Sequence, residues 1–214
     1  MPGSIDVTDL ARRLAPLSHG TEALGIIRDA LGQVEKRQRQ AFLNEHLLCA
    51  PIRYEEVGAR MSKPPEPFQV LQGDVIRTDA AYTLGSRQVG APSYVVATST
   101  CDVVLGRRET ALLLRVQPRR LTVNVGRDQL RNDLANLIAF KTSRYFYLPP
   151  LPDDDADVLF NVVLVDPFAQ CSNQTLAFTE RRASMTLLGW RLFGAVLRSI
   201  QVREAEEEVA IRTL

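Results

Sequence analysis

The sequence predicts an α+β fold, in which an antiparallel sheet, strongly curled or closed into a small barrel, lies between helices. Residues 1–48 and 179–202 carry apolar residues at helical spacings, whereas residues 70–178 contain several short apolar runs of strand length. Between those runs, residues 128–141 form the one stretch with a clear helical pattern. A doubly wound α/β sheet needs a crossover helix between successive parallel strands, and it is therefore the less favoured alternative.

The first part of the chain is predicted to be a helical arm. Thr8 caps a short helix, and Thr21 caps a longer one whose apolar stripe is interrupted by the polar residues 35–40. Prolines then exclude any long element, because proline fixes φ and removes a backbone donor. The arm either packs on the rest of the protein or projects from it as an interaction surface. The predicted parts are the helical arm 1–48, a connector 49–68 and a β-barrel-like body 69–214.

Six segments of the body are predicted to be strands, because they are apolar or β-branched and end at turn residues. They are Val70 to Arg77, Ser93 to Leu105, Ala111 to Gln117, Leu121 to Val125, Asp157 to Val165 and Thr175 to Phe178. Continuous apolar runs such as 112–114 are typical of strands buried on both faces. A final helix is predicted from residue 179 or 180 to about 202. Gly189 and Gly194 inside it predict the close approach of another backbone.

Composition and charge exclude several classes of protein. The chain has 214 residues and a hydrophobic fraction of 45%, enough for a sizeable core, and its net charge of +1 creates no general attraction to nucleic acid or membranes. No apolar run reaches the ~20 residues of a membrane span, and the N-terminus lacks the pattern of a secretory signal. The three cysteines are widely spaced and include no CxxC pair, so neither a disulfide framework nor a zinc site is expected. We therefore expect a cytoplasmic protein without metal or cofactor.

Asp74, Cys101 and Asp102 are the candidate catalytic residues. Paired strands can bring the two carboxylates together to bind Mg²⁺, with Asp166 as a third ligand, or to divide into acid and base. A nucleophilic cysteine needs a nearby base, however, and both histidines lie in the predicted arm. The favoured interpretation is structural. Cys101 is then a small buried cysteine at the end of a strand, and Asp74 belongs to a turn or bulge at the start of one.

The segment from Arg107 to Arg144 is rich in basic residues, and aromatic residues follow it directly. Such a combination suits single-stranded nucleic acid, because arginines pair with phosphates and aromatic rings stack on bases. The candidate nucleic-acid-binding residues are Arg107, Arg119, Arg120, Arg127, Arg144 and Tyr145. Ion pairs with the four aspartates at 153, 154, 155 and 157 are the favoured alternative, since they would neutralise the segment within the fold.

Residues 70–105 combine the strand start Gly73-Asp74-Val75-Ile76, a long loop and the apolar strand Tyr94-Val95-Val96-Ala97. In this pattern they resemble the opening of the MazF/PemK-type small barrels. The segment is also similar to uncharacterised bacterial proteins in which a Gln-Gly-Asp-Ile strand precedes a Ser/Thr-rich strand ending in Cys-Asp, here Thr98-Ser99-Thr100-Cys101-Asp102. The resemblance implies a bacterial protein with a small barrel and, as an alternative activity, ribonuclease-like chemistry. It implies no catalytic position, because the residues on which that activity depends lie outside the matching segment.

Two functions follow as hypotheses. The favoured one is a non-catalytic bacterial protein-interaction module, such as an accessory subunit of a defence or toxin-type system, which contacts a protein partner or a second copy of itself. The alternative is a nucleic-acid-binding or ribonuclease-like small barrel. The two differ in whether the basic candidates and Tyr145 converge on one concave surface. Motifs of P-loop, Rossmann, zinc-protease and serine-hydrolase sites are absent from the sequence.

Overall fold

Helices occupy both ends of the chain and strands fill most of the region between them. The computed structural model of the protein describes residues 5–14, 21–63, 67–104, 106–122, 125–141 and 144–201. The helices are α1 Val7–Leu14, α2 Thr21–Gly32, α3 Lys36–His46, α4 Tyr54–Gly58, α5 Thr100–Val103, α6 Arg127–Ile138, α7 Asn173–Leu176 and α8 Leu187–Gln201. The strands are β1 Leu48–Cys49, β2 Val75–Arg77, β3 Tyr82–Thr83, β4 Ser86–Arg87, β5 Ser93–Val96, β6 Thr110–Arg120, β7 Tyr145–Leu148, β8 Val158–Ser172 and β9 Glu180–Met185.

The strands form one antiparallel sheet, which confirms the α+β prediction. Its order is β1-β9-β2-β5-β6-β8-β3-β4, and β7 pairs with β8 beside this path. The sheet is open within the part of the chain that the structure describes, so the closed barrel that the sequence also allowed is not formed. None of the described helices has the length and apolar character needed to cross a membrane.

The long strands β6 and β8 form the centre of the sheet. They pair from Thr110 opposite Ser172 to Arg120 opposite Val158, with a change of register after Leu114. Leu113 and Leu114 are both fully buried, whereas Leu112 is 37% exposed, so the apolar run 112–114 is covered on two faces only in part.

The strand predicted from Ser93 to Leu105 is shorter than expected. It ends at Val96, and the short helix α5 follows. The carbonyl of Ser99 accepts hydrogen bonds from the backbone N–H groups of Asp102 and Val103, at 3.0 and 3.2 Å, and these bonds close a helical turn. Residues 99–103 therefore lie outside the sheet.

Three other predicted strands also differ from the structure. The strand predicted over residues 70–77 begins only at Val75, because residues 71–74 form a turn. The strand predicted over residues 121–125 is reduced to one isolated bridge between Thr122 and Val125, because the pairing of β6 with β8 ends at Arg120. Residues 175–178 lie in and just after α7.

The final predicted helix is divided into a strand and a helix. Its first residues form β9, which pairs with both β1 and β2, and α8 begins only at Leu187. The backbone of Gly189 in α8 lies close to the end of α3: a Cβ atom at Gly189 would be 2.2 Å from the backbone oxygen of Leu47. The predicted close approach of another backbone is therefore confirmed at this glycine.

The N-terminal helices pack on α8 and do not project. Leu10 of α1 and Ile27 of α2 belong to the same buried cluster as Leu192 and Phe193 of α8. The single long helix predicted after Thr21 is in fact two helices, α2 and α3. A capping box between Glu35 and Gln38 begins the second one, which explains the polar interruption in the apolar stripe.

Candidate functional site

Asp74 is a buried carboxylate that joins β2 to β9. Its oxygens accept hydrogen bonds from Arg181 Nη2 at 2.7 Å, from Ser184 Oγ at 2.6 Å and from the backbone N–H of Leu71 at 2.8 Å. Burial raises the pKa of Asp74, and the charge of Arg181 partly opposes that rise. The carboxylate thus has protein partners on both oxygens, as expected of a structural cross-link.

Gln72 and Gly73, the two residues before Asp74, contact several elements of the fold. Gly73 has a φ of +88°, and a Cβ atom there would lie 2.9 Å from the sulfur of Met185. Gln72 accepts a hydrogen bond from Trp190 Nε1 of α8 at 2.9 Å and donates one to the carbonyl of Ala97 at 2.8 Å. The Gln-Gly-Asp sequence therefore holds β5, β9 and α8 together, and packing accounts for each of its residues.

Cys101 and Asp102 lie in the short helix α5, and Ser99 contacts both. The hydroxyl of Ser99 is 3.1 Å from Cys101 Sγ and donates to Asp102 Oδ2 at 3.0 Å. Arg108 Nε is 3.1 Å from Asp102 Oδ1. The hydrogen bonds from Ser99 and Arg108 lower the pKa of Asp102. Cys101 is exposed, so the prediction of a buried cysteine at a strand end is wrong; Cys171 is the buried one.

The structure gives Asp74 and Asp102 different sets of partners. The predicted third carboxylate, Asp166, is exposed on β8. Among the described residues, no three His, Cys, Asp or Glu side chains are arranged to hold a metal ion. Of the two histidines, His46 packs edge-on against Phe42 with ring centroids 4.7 Å apart, and His19 lies outside the described residues.

The candidate nucleic-acid-binding residues are distributed over separate surfaces. Arg119 and Tyr145 line one hollow together with Asp133, Arg120 lines a second, and Arg127 lines a third. The other two candidates line none of these three hollows: Arg107 and Arg144. The six candidates therefore do not line one of these hollows together.

Aspartates neutralise part of the basic segment, as the favoured interpretation expects. Arg120 forms ion pairs with Asp155 at 2.7 Å and with Asp157 at 3.3 Å. The other two aspartates of this loop pair with an arginine outside the segment: Arg182 of β9 contacts both Asp153 and Asp154. Two of the four aspartates therefore act within the basic segment, and two fix the loop to the sheet.

A hollow between α3 and α6, called the α3–α6 hollow below, has a different character. Its volume is about 540 Å³. Its basic lining residues are Lys36 and Arg37 on α3 with Arg127 and Arg131 on α6, and its apolar lining residues are Leu121, Leu130, Leu134, Leu159 and Phe160. Gln40 completes the lining, which includes no acidic residue among those that the structure describes. The ammonium of Lys36 donates to the carbonyl of Arg131 at 3.3 Å and so ties the two helices together.

Two apolar side chains in this hollow remain accessible. Leu121 is 48% exposed and Leu159 is 44% exposed, although both lie beside buried residues of the core. The four basic side chains around them are exposed as well. The α3–α6 hollow therefore combines accessible apolar surface with a concentration of positive charge.

The sequence indicates only part of this hollow. Arg127 is among the candidates, but Lys36 and Arg37 fall in the polar interruption of a presumed single helix. Two adjacent basic residues at the start of α3 can be recognised in the sequence. The neighbouring sequence does not indicate that α3 lies beside α6, because Arg131 of α6 is 95 positions after Lys36.

No protein-family model and no curated protein matches this chain. The resemblance of residues 70–105 to the MazF/PemK-type barrels stays a prediction.

Proposed function

We propose that this protein is a protein-interaction module that binds an acidic, leucine-bearing segment of a partner protein in the α3–α6 hollow. The observation that carries the proposal is the lining itself, where four cationic side chains surround an apolar surface and no described lining residue is acidic. Complementary charge steers such a partner to the site and selects against basic partners.

The apolar part of the hollow accounts for affinity. Its volume of about 540 Å³ lies in the range of sites that hold small ligands or a few side chains. Burying one leucine side chain fully stabilises a complex by about 1.5–3 kcal/mol before the entropy of association is subtracted. Leu121 and Leu159 supply accessible surface against which such a side chain can pack.

The same lining favours a peptide over single-stranded nucleic acid. Recognition of single strands relies on aromatic faces on which bases stack. Phe160 is the aromatic residue of this hollow, and it is only 1% exposed. Tyr145, which is 41% exposed, lines a different hollow that also contains the carboxylate of Asp133.

A peptide-binding assay tests the proposal. The probe is a fluorescent peptide of glutamates and leucines, compared with a peptide whose leucines are replaced by serine and with a single-stranded DNA oligonucleotide. The double variant Arg37→Glu/Arg127→Glu reverses charge in the first turns of α3 and α6, where glutamate is favourable to a helix. We expect it to weaken binding of the leucine peptide by on the order of tenfold or more.

The matched control is Arg60→Glu/Lys63→Glu, which makes the same change in net charge at two exposed residues outside the hollow. It should leave the affinity for the leucine peptide within about twofold of the original once general charge effects are screened by salt. Equal loss in both variants, or equal affinity for the serine peptide, would contradict the proposal. Preferential binding of the oligonucleotide would support the nucleic-acid alternative instead. Membership of a bacterial defence or toxin-type system stays a prediction.

A further inference from the structure

The segment that follows α8 has the composition of a ligand for the α3–α6 hollow. Residues 202–214 lie outside the part of the chain that the structure describes. Their sequence contains four glutamates within the five positions 204–208, and the apolar residues Ile211 and Leu214 come after them. The two basic residues of the segment lie outside this run of glutamates. An acidic run followed by branched apolar residues is the combination that the hollow is proposed to bind.

The positive charge of the hollow is accessible to such a segment. The four cationic side chains that line it are exposed: Lys36, Arg37, Arg127 and Arg131. None of the described lining residues is acidic. Beside the hollow, Asp128 is 94% exposed and lies 3.9 Å from Nη1 of Arg131. An ion pair between side chains this exposed contributes little, so the cations of the hollow stay open to the glutamates of the segment 202–214.

The segment 202–214 is long enough to reach the hollow of its own chain. At ~1.5 Å per residue, α8 extends about 18 Å from Gly189 to Gln201. On the same basis, α3 and its cap extend about 16 Å from Lys36 to Leu47. Because Gly189 contacts Leu47, these two lengths limit the distance from Gln201 to the hollow to roughly 40 Å. The 13 residues of the segment span up to about 43–47 Å when extended.

We propose, on the basis of the function proposed above for this hollow, that the segment 202–214 occupies the α3–α6 hollow of its own chain and that a partner must displace it. Its glutamates face the cationic side chains, and Ile211 or Leu214 packs on the accessible surface of Leu121 and Leu159. A tethered ligand acts at an effective concentration in the millimolar range, so a weak contact is enough. The apparent dissociation constant for a partner rises as the fraction of molecules with an open hollow falls.

Binding of the fluorescent peptide of glutamates and leucines to variants of the full chain tests the proposal. Ile211→Ser/Leu214→Ser removes two apolar side chains from the segment without changing the net charge. We expect this variant to bind the peptide more tightly than the original protein, by on the order of tenfold, because its own segment no longer competes. The matched control is Leu84→Ser/Val89→Ser, which changes two apolar residues outside the hollow that are 93% and 84% exposed. The control should bind the peptide as the original protein does.

A second measurement uses a labelled synthetic peptide with the sequence of residues 202–214. It should bind the Ile211→Ser/Leu214→Ser protein, whose hollow is open. Adding Arg37→Glu/Arg127→Glu to that protein should weaken this binding by on the order of tenfold, because the charges then repel the glutamates. Failure of the synthetic peptide to bind the open hollow would overturn the proposed contact.

The outcomes distinguish this proposal from the function proposed for the hollow. If the Ile211→Ser/Leu214→Ser protein and the original protein bind the glutamate–leucine peptide equally, the segment does not occupy the hollow, although the hollow still binds acidic partners. If neither protein binds that peptide, both proposals fail. Sedimentation velocity should show the original protein as a monomer at the concentrations of the assay. Self-association that is lost in the Ile211→Ser/Leu214→Ser variant would place the segment in a second copy and contradict occupation within one chain.

Discussion

Two helical glycines have opposite surroundings, and their substitution by alanine should change stability in opposite directions. A Cβ atom at Gly25 of α2 would meet nothing within 4 Å beyond its own helix backbone, so Gly25→Ala should stabilise the protein by about 0.5–1 kcal/mol through helix propensity. Gly189→Ala would place its methyl group 2.2 Å from the carbonyl oxygen of Leu47, and it should destabilise by about 1–3 kcal/mol or more. Urea unfolding of both variants measures the difference.

The contact at Gly189 also fixes where α8 begins. Thr186 donates from its backbone N–H to the same carbonyl of Leu47 at 3.0 Å, and from its hydroxyl to the carbonyl of His46 at 2.5 Å. An alanine at residue 189 must separate these bonded groups or distort the first turn of the helix. If Gly189→Ala unfolds at the same urea concentration as the original protein, α8 does not pack on the end of α3 as described.

Strands β2 and β9 are joined by the ion pair of Asp74 and Arg181. Removing one of the two charges should lower the free energy of unfolding more than replacing both residues together. Asp74→Asn leaves the guanidinium of Arg181, which is 15% exposed, without its carboxylate, and should destabilise by about 3–5 kcal/mol. The double variant Asp74→Asn/Arg181→Met removes both charges and should recover part of that loss. A double-mutant cycle in urea measures the coupling. If the double variant is as unstable as the sum of the two single changes, the pair does not act as a unit.

The elements that could be predicted from sequence are those whose pattern is local. The helical pattern over residues 128–141 corresponds to α6. The apolar runs of β6 and β8 are recognisable because each includes adjacent buried residues, such as Leu113 and Leu114 in β6 and Val162 and Val163 in β8. Strand β9 escapes prediction because Met185 at its end continues the spacing of the apolar stripe in α8. Whether such a segment is helix or strand depends on β1 and β2, which pair with it from distant parts of the sequence.

The sequence predicts which residue types belong to the candidate sites, but it does not predict how they are arranged in space. Asp74 is recognisable in the sequence as a polar residue at the start of a strand, but its bonded partner Ser184 lies 110 positions later, and no local rule pairs them. The prediction of a buried Cys101 fails because the small apolar run ahead of it suggests a continuous strand. The basic segment is recognisable by composition, whereas its distribution over three hollows depends on the packing of α6 against β7 and α3.

The stability of the protein as a whole should fall at high pH, and the buried phenol of Tyr147 should contribute to that fall. Burial raises the pKa of Tyr147 to about 12, and its hydroxyl donates to the amide oxygen of Asn44 on α3. The unfolded chain ionises near the ordinary tyrosine value of about 10. The contribution of Tyr147 to the free energy of unfolding is therefore complete below about pH 10. It is lost as the pH rises toward 12, because over this range the phenol ionises more readily in the unfolded chain than in the folded protein.

Melting temperatures measured between neutral and strongly alkaline pH check this expectation. Tyr147→Phe should show a smaller fall than the original protein. Tyr145→Phe provides the control, because Tyr145 is 41% exposed on the same strand. Identical alkaline curves for the original protein and Tyr147→Phe would show that another group is responsible.

The place of β9 between β1 and β2 affects the order in which a newly made chain can fold. Strands β2 and β5 can pair as soon as both have been synthesised, but one side of β2 then stays open until β9 arrives. During that interval Asp74 lacks both Arg181 and Ser184, so burying its carboxylate is unfavourable. We therefore expect this part of the sheet to stay incompletely folded until β9 has left the ribosome. During that time the unpaired edge of β2 must be shielded by chaperones from other chains.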